Sequence, residues 1–356
     1  MQYDPARDGV RWHLIEKTPF RYDFSSLLPM LQAARQTQTQ VIWDLLHYGW
    51  PDGLDIWGAA FVDRFARFAR ATAQVILEET GGPIFITPVN EIFIAANFSA
   101  LKGWWNECET SDAAFVRAIR NLCMARELAV EAILSERPDA IIVQGESIEH
   151  YHAAGRSALA HAEKGNALKQ LSLDLTMGHE LAPGMAGFLN ENGVTSNDLS
   201  FFREKRAVGQ RWLGVDYYPT CEHRIASTGR ATMSRSGMGF KRLATQYFQR
   251  YQVPIFHCET NRVAHLAVDW LDQQWSDIMA MRASGIPVTG FTWYSLTDQI
   301  DWQHALRIER NDLHAVGMYD LERRIRPVGV RYREIVQRWR AVVDAPALGE
   351  GMRREA

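Results

Sequence analysis

Two glutamates stand out by their neighbours: Glu91 in Asn90-Glu91, and Glu259 in His257-Cys258-Glu259-Thr260-Asn261. Each follows a short apolar, β-branched run. One carboxyl of such a pair can protonate a leaving oxygen while the other attacks an anomeric carbon or activates a water, the division of labour of glycoside hydrolysis. In enzymes that retain configuration the two carboxyl groups lie about 5–5.5 Å apart, a distance two strand ends facing each other across a barrel mouth can hold. The acid needs a raised pKa and the nucleophile a lowered one. Arg11, in another strand-like run, is placed to keep Glu259 ionised. On spacing alone, a carboxylate at a strand end could equally bind a metal or cap a helix.

The elements that must position these groups alternate along the chain. Strand-like runs occur at Gly9–Ile15, Val41–His47, Ile84–Val89, Ala140–Val143, Leu213–Tyr217, Ile255–Cys258 and Val288–Trp293, several nearly continuous in apolar character, as in buried parallel strands. Between them lie amphipathic stretches. Ile56–Leu77 carries Trp57, Phe61, Phe65, Phe68, Thr72, Val75 and Ile76 at helical spacing, with Asp55 as N-cap, and Ser111 caps a helix over Ser111–Ser135. Trp270–Arg282 and Gly329–Val342 read the same way. Gly81-Gly82-Pro83 and Arg137-Pro138-Asp139 stop helices before strands. The alternation predicts an α/β fold, a TIM (β/α)8-type barrel, with residues 1–344 as one catalytic domain and 345–356 as a flexible tail. In such a barrel the chemistry sits at the C-terminal strand ends.

Composition narrows the classes. The chain has 356 residues, 47% apolar and 23% charged, which suits one large globular domain. A net charge of -3 without a basic face argues against a nucleic-acid partner. No stretch reaches the ~18 apolar residues of a membrane helix, and the polar start has no signal-peptide core. The cysteines, Cys108, Cys123, Cys221 and Cys258, show no paired or metal spacing, so free thiols and a cytoplasmic location are expected. Glu146, Glu149, His150 and His152 cluster after one strand but read as pocket rim. No metal and no cofactor is expected, and a homo-oligomer is open. Twelve tryptophans would offer flat faces to sugar rings, although most are expected in the core.

With these positions in hand, the chain resembles glycoside hydrolase family 1, a clan A family of retaining β-glycosidases. Thr87-Pro88-Val89-Asn90-Glu91 resembles its acid/base motif, and His257–Asn261 its nucleophile motif, usually Thr-Glu-Asn-Gly. His47-Tyr48-Gly49-Trp50-Pro51 resembles His-Trp-Asp-Leu-Pro. Residues 212–218, ending Asp216-Tyr217-Tyr218, resemble Phe-Leu-Gly-Xaa-Asn-Tyr-Tyr. Residues 295–302, ending Asp301-Trp302, resemble Ser-Leu-Leu-Asp-Asn-Phe-Glu-Trp. Gly317-Met318-Tyr319-Asp320 with Arg326-Pro327 resembles the stretch before the last helix. The motifs fall in the family's order from Arg11 to about Ile335.

The resemblance implies Glu91 as acid/base and Glu259 as nucleophile, acting on a small β-glycoside by double displacement. It implies that Arg11 and Tyr218 steady the nucleophile and that His47 and Asn90 bind hydroxyls near the cleaved bond. Trp293 or Tyr294 would floor the sugar, and Asp301 and Trp302 would read its far hydroxyls. Plainer roles remain open: an ion pair for Arg11, a core histidine for His47, packing for Tyr218 and Trp302. A sugar-binding barrel without turnover and a transglycosidase using the same glutamates are the alternatives. The sequence departs from the family at Tyr294 for Trp, Asp216 for Asn, Asp301 for Glu and Arg262 for Gly, all in the sugar-reading shell. Matching Arg11 to the family's second strand leaves no first strand, so a barrel incomplete at its N-terminus is expected.

Overall fold

The computed structural model describes residues 10–204, 210–234 and 237–343. Six parallel strands form one sheet: β1 Ile42–Asp44, β2 Phe85–Thr87, β3 Ile141–Ser147, β4 Gln210–Asp216, β5 Ile255–Glu259 and β6 Val288–Phe291. They neighbour one another in chain order, and every pairing is parallel. The fold is α/β and of the TIM-barrel type, with a curled half-barrel sheet. The main helices are α1 Leu28–Thr37, α2 Ala59–Thr80, α3 Asp112–Glu136, α4 Leu159–Thr176, α5 Phe240–Tyr251, α6 Ala267–Ala283 and α7 Pro327–Val343.

Local chemistry explains the boundaries. In α2, Phe61, Phe65, Phe68, Thr72 and Ile76 recur every three or four residues and are buried, each Phe worth about 1.5–3 kcal/mol by burial. Gly81 ends it in a left-handed conformation, φ 65°, its N–H returning to Leu77 O at 2.9 Å. Ser111 caps α3 as expected, its Oγ accepting the Ala114 N–H at 3.1 Å. Asp55 does not cap α2. Its Oδ1 accepts the Trp57 N–H at 2.6 Å in a turn, and Gly58 is the N-cap.

The expected strand Gly9–Ile15 is the principal correction. Val10 donates one backbone bond to Asp44 O on the outer side of β1 (2.8 Å), and the chain then turns into one helical turn, Trp12–Ile15. Trp12 and Ile15, three apart, are both buried, a helical rather than an alternating pattern. The Trp12 ring packs 5.2–5.7 Å from Phe61, Phe65 and Phe68 of α2, and its Nε1–H donates to the buried Glu16 carboxylate at 2.6 Å. That aromatic packing outweighs a strand pairing. The sheet is therefore two strands short of eight among the described residues, not one.

Above the strand ends sits a small sheet of His150–Ala153, Glu222–Ile225 and Ala231–Met233, which the apolar pattern does not reveal. The tail 345–356 lies outside the described residues. No helix among the described residues is long and apolar enough to cross a membrane.

Candidate active site

The C-terminal ends of β1 to β5 bring a set of carboxyl groups together. Glu91 follows β2 and is 7% exposed. Its backbone is left-handed, φ 40°, a conformation that costs a non-glycine residue free energy and is held here by its surroundings. The Glu91 N–H donates to Gly145 O at 3.0 Å, and the Asn90 N–H to Leu46 O at 3.0 Å, tying the turn to both flanking strands. A β-carbon on Gly145 would stand 2.8 Å from Asn90 Oδ1, so a bare glycine is needed for Asn90 to lie there. Tyr48, also left-handed at φ 67°, donates its hydroxyl to Glu91 Oε2, and Asn90 Nδ2 donates to the same hydroxyl at 3.5 Å.

Glu259 is the last residue of β5 and is half-buried. It is in register with Asp216 of β4, and the Tyr217 N–H donates to its carbonyl at 2.9 Å. The Tyr218 hydroxyl donates to Glu259 Oε2 at 2.6 Å.

The surroundings of Glu91 favour its protonated form. Burial raises the Glu91 pKa, the Glu259 charge raises it further, and the Tyr48 hydrogen bond pulls it back, leaving it at about 8. A carboxyl so raised keeps its proton at neutral pH, and the influence of Glu259 on it puts the two carboxyl groups near each other. Burial opposes charge on His47, but the Asp44 carboxylate at 2.7 Å, with Glu259 and Glu91 behind it, lifts its pKa to about 9. His47 is therefore an imidazolium among acids. Glu146 on β3 is buried and raised to about 7, chiefly by burial.

The other expected site residues divide. Tyr294 follows β6, half-buried, with its hydroxyl accepting from Gln299 Nε2 at 2.7 Å. Trp302 is half-buried and stacks on Trp105 at 6.2 Å, which in turn lies 4.8 Å from Tyr48. These aromatic rings lead away from Glu91 along one side of the mouth. Trp293 is 3% exposed and donates Nε1–H to Val316 O at 2.9 Å, in a cluster with Leu271 and Val328. Asp301 accepts backbone N–H bonds from Arg310, Asn311 and Asp312, each at 2.9 Å. Burial opposes charge on Asp301, yet these donors hold its pKa below the ordinary range. Both its oxygens thus organise the 301–312 loop. Arg11 precedes the Trp12 turn and is half-buried.

Around the cap sheet the histidines pair with carboxylates: His152 Nε2 with Glu222 at 2.7 Å, and His223 Nε2 with Glu149 at 3.3 Å, beside Lys169 Nζ at 2.5 Å. Among the described residues no group of three or more such side chains is arranged to hold a metal ion. The four cysteines are unpaired.

Two participants carry no role in the sequence reading. Tyr48 lies inside a quoted motif, and the signal was its place directly after His47 at a strand end. Asp216 appeared at a strand end, inside a quoted motif and as a departure from Asn, and an acid where an amide is usual was the signal.

No family model and no curated protein matches the chain. Its fold is similar to that of solved glycosidases of the barrel type. A family 1 β-glucosidase from Thermotoga maritima in complex with isofagomine lactam superposes with a TM-score of 0.80 at 14% identity, over 92% of this chain and 82% of that one. The Thermotoga maritima β-glucosidase complexes with glucoimidazole (TM-score 0.79, 14% identity) and deoxynojirimycin (0.78, 16%) cover the same shares.

Proposed function

We propose that this protein is a retaining β-glycosidase acting on a small β-glycoside. The observation that carries the reading is the pair Glu91 and Glu259. They stand at the ends of β2 and β5 of one curled sheet, with β3 and β4 between them, each accepts a tyrosine hydroxyl, and the buried one keeps its proton to about pH 8. In the first step a Glu259 carboxylate oxygen bonds to the anomeric carbon, the glycosidic C–O bond breaks, and the Glu91 proton passes to the leaving oxygen. In the second, a water oxygen bonds to the anomeric carbon, Glu91 takes the water's proton, and the bond to Glu259 breaks. Two displacements restore the starting configuration.

The supporting residues follow from position. Tyr218 steadies the Glu259 carboxylate, and Arg11, next to the end of β1, adds positive charge from across the mouth. His47 and Asn90 bind hydroxyls near the cleaved bond, Asn90 the 2-hydroxyl. Tyr294, with Trp293 behind it, floors the sugar, and Trp302 and Asp301 border its far side, Asp301 through the loop it holds. No nucleic acid or membrane enters the reaction. Four unpaired thiols suit a reducing compartment, and we place the protein in the cytoplasm.

The test is a panel of aryl β-glycosides, with the first anomer released followed by NMR. Release of the β-anomer from one or more sugars supports the reading. Sugar binding without turnover would make the chain a non-catalytic sugar-binding barrel, and an α-anomer released first would make it an inverting enzyme.

A further inference from the structure

Two loops distant in sequence meet at the rim of the mouth and bring two cations to one indole. The first follows Glu91. The π-helical turn Asn97–Leu101 leads into Lys102, and the Trp104 N–H folds back to Phe98 O at 2.7 Å. Gly103 permits that fold, at φ 62°, and a β-carbon there would stand 2.9 Å from Thr110 Cγ2. The second is the 301–312 loop that Asp301 organises. Trp105 latches it, donating Nε1–H to Ala305 O at 2.7 Å. Lys102 Nζ then lies 4.5 Å, and the Arg307 guanidinium carbon 4.2 Å, from the centre of the Trp104 ring.

The place is continuous with the active site. Tyr48, whose hydroxyl meets Glu91, lies 4.8 Å from Trp105, Trp105 lies 4.8 Å from Phe98, and Phe98 lies 4.8 Å from Trp104. Trp104 and Trp105 are half-buried and Lys102 and Arg307 are exposed, so all four are open to a ligand. Among the described residues no carboxylate pairs with Lys102 or Arg307, and the guanidinium donates only Nε–H, to His304 O at 3.1 Å. Asp301 is taken up by backbone N–H groups, Asp312 by His304 at 3.0 Å, and Glu149 by Lys169 at 2.5 Å. Burial first, then the charges of Lys169 and Arg307, press the Lys102 amine toward its neutral form, with Glu149 opposing them. Like charges held together in this way cost free energy that a bound anion removes.

Resting on the glycosidase reading, we propose that Lys102, Arg307 and Trp104 form an anion subsite at the rim of the mouth, which selects β-glycosides bearing an anionic oxygen group such as a carboxylate. Trp104 fixes the two cationic heads, and their unused N–H groups pair with the oxygens of the anion.

The test compares kcat/KM for matched aryl β-glycosides, one neutral and one anionic, in the full chain and in a double variant, Lys102→Gln with Arg307→Gln. One pair carries the carboxylate on the phenol. The other carries it on the outer carbon of the sugar, as a uronide. The double variant is expected to lower the anionic-to-neutral ratio on the order of 10-fold in at least one pair. The pair that responds shows whether the anion rides on the leaving group or on the sugar. Because each ratio is compared between two proteins, the effect of the carboxylate on leaving-group acidity cancels. Added salt is expected to lower the same ratio in wild type and not in the double variant. A merely structural role for the two cations would lower both members of a pair alike, and that result overturns the proposal, as does a ratio unchanged in both pairs. If the wild-type chain turns over no glycoside, the glycosidase reading fails, and calorimetric titration with the same compounds decides the subsite separately. Tighter binding of the anionic member, lost in the double variant, sustains the subsite, and equal binding of both members removes it.

Discussion

The β1–β2 side of the mouth and the β4–β5 side are built from the same parts and differ in outcome. On each, a glutamate near a strand end accepts a bond from a tyrosine hydroxyl, Tyr48 to Glu91 and Tyr218 to Glu259. Glu259 sits within its strand, extended and half-buried. Glu91 sits past its strand in a left-handed turn, sealed from water, with the negative Glu259 as its strongest charged neighbour. A tyrosine donor, common to both, therefore does not decide whether Glu91 keeps its proton. Burial and the neighbouring charge decide it.

Removing each glutamate breaks that contrast most sharply. Glu259→Ala is expected to cost on the order of 10⁴–10⁶-fold in kcat for every leaving group, because the attacking atom is gone. Glu91→Ala is expected to cost on the order of 10²–10⁴-fold for poor leaving groups and little in the first step for activated phenols, which need no proton. A series of aryl glycosides with leaving groups of graded acidity checks this. Equal losses across the series in both variants would erase the distinction between the sides.

Gly145→Ala comes next. Its new methyl displaces Asn90 and the turn that aims Glu91, with an expected loss on the order of 10²-fold in kcat/KM, while the melting temperature changes little. Tyr48→Phe is subtler. The hydroxyl lowers the Glu91 pKa, so its removal moves the alkaline limb of kcat/KM upward from about 8 by roughly one pH unit. A downward shift would show that Tyr48 is not the group restraining Glu91.

The smallest effect concerns His47. Its folded pKa, about 9, lies above its ordinary 6.5. The stabilisation it brings is therefore complete below about pH 6.5 and lost as pH rises through about 9. Asp44→Asn should flatten that part of the melting-temperature profile, and an unchanged slope would detach His47 from Asp44.

The six strands of the sheet are legible in the sequence because each carries a short apolar run, even where one face is partly open, as at Thr289 of β6. The Trp12 segment misleads because Val10, Trp12 and Leu14 also alternate, and only the aromatic face of α2, distant in sequence, selects the helical turn. Helix α4 is hard to see because Lys169, Ser172, Asp174 and Thr176 are buried alongside its leucines, which blurs any apolar stripe. The cap strands, rich in His, Glu and Arg, carry no apolar signal. In the site, Glu91 and Glu259 are legible because strand ends are where barrel chemistry collects. Tyr48 and Asp216 are not, because one depends on paired left-handed turns and the other on the absence of any partner, and both are facts of tertiary structure.

The central claim is that Glu259 forms a covalent bond to the sugar. Incubation with 2-deoxy-2-fluoro aryl β-glycosides, followed by mass spectrometry of the digested protein, tests it most directly. The account predicts one glycosyl adduct, on the peptide containing Glu259, absent in Glu259→Ala. An adduct on Glu91, Glu146 or Asp216, or hydrolysis of the parent glycosides with no adduct on any carboxylate, would contradict it.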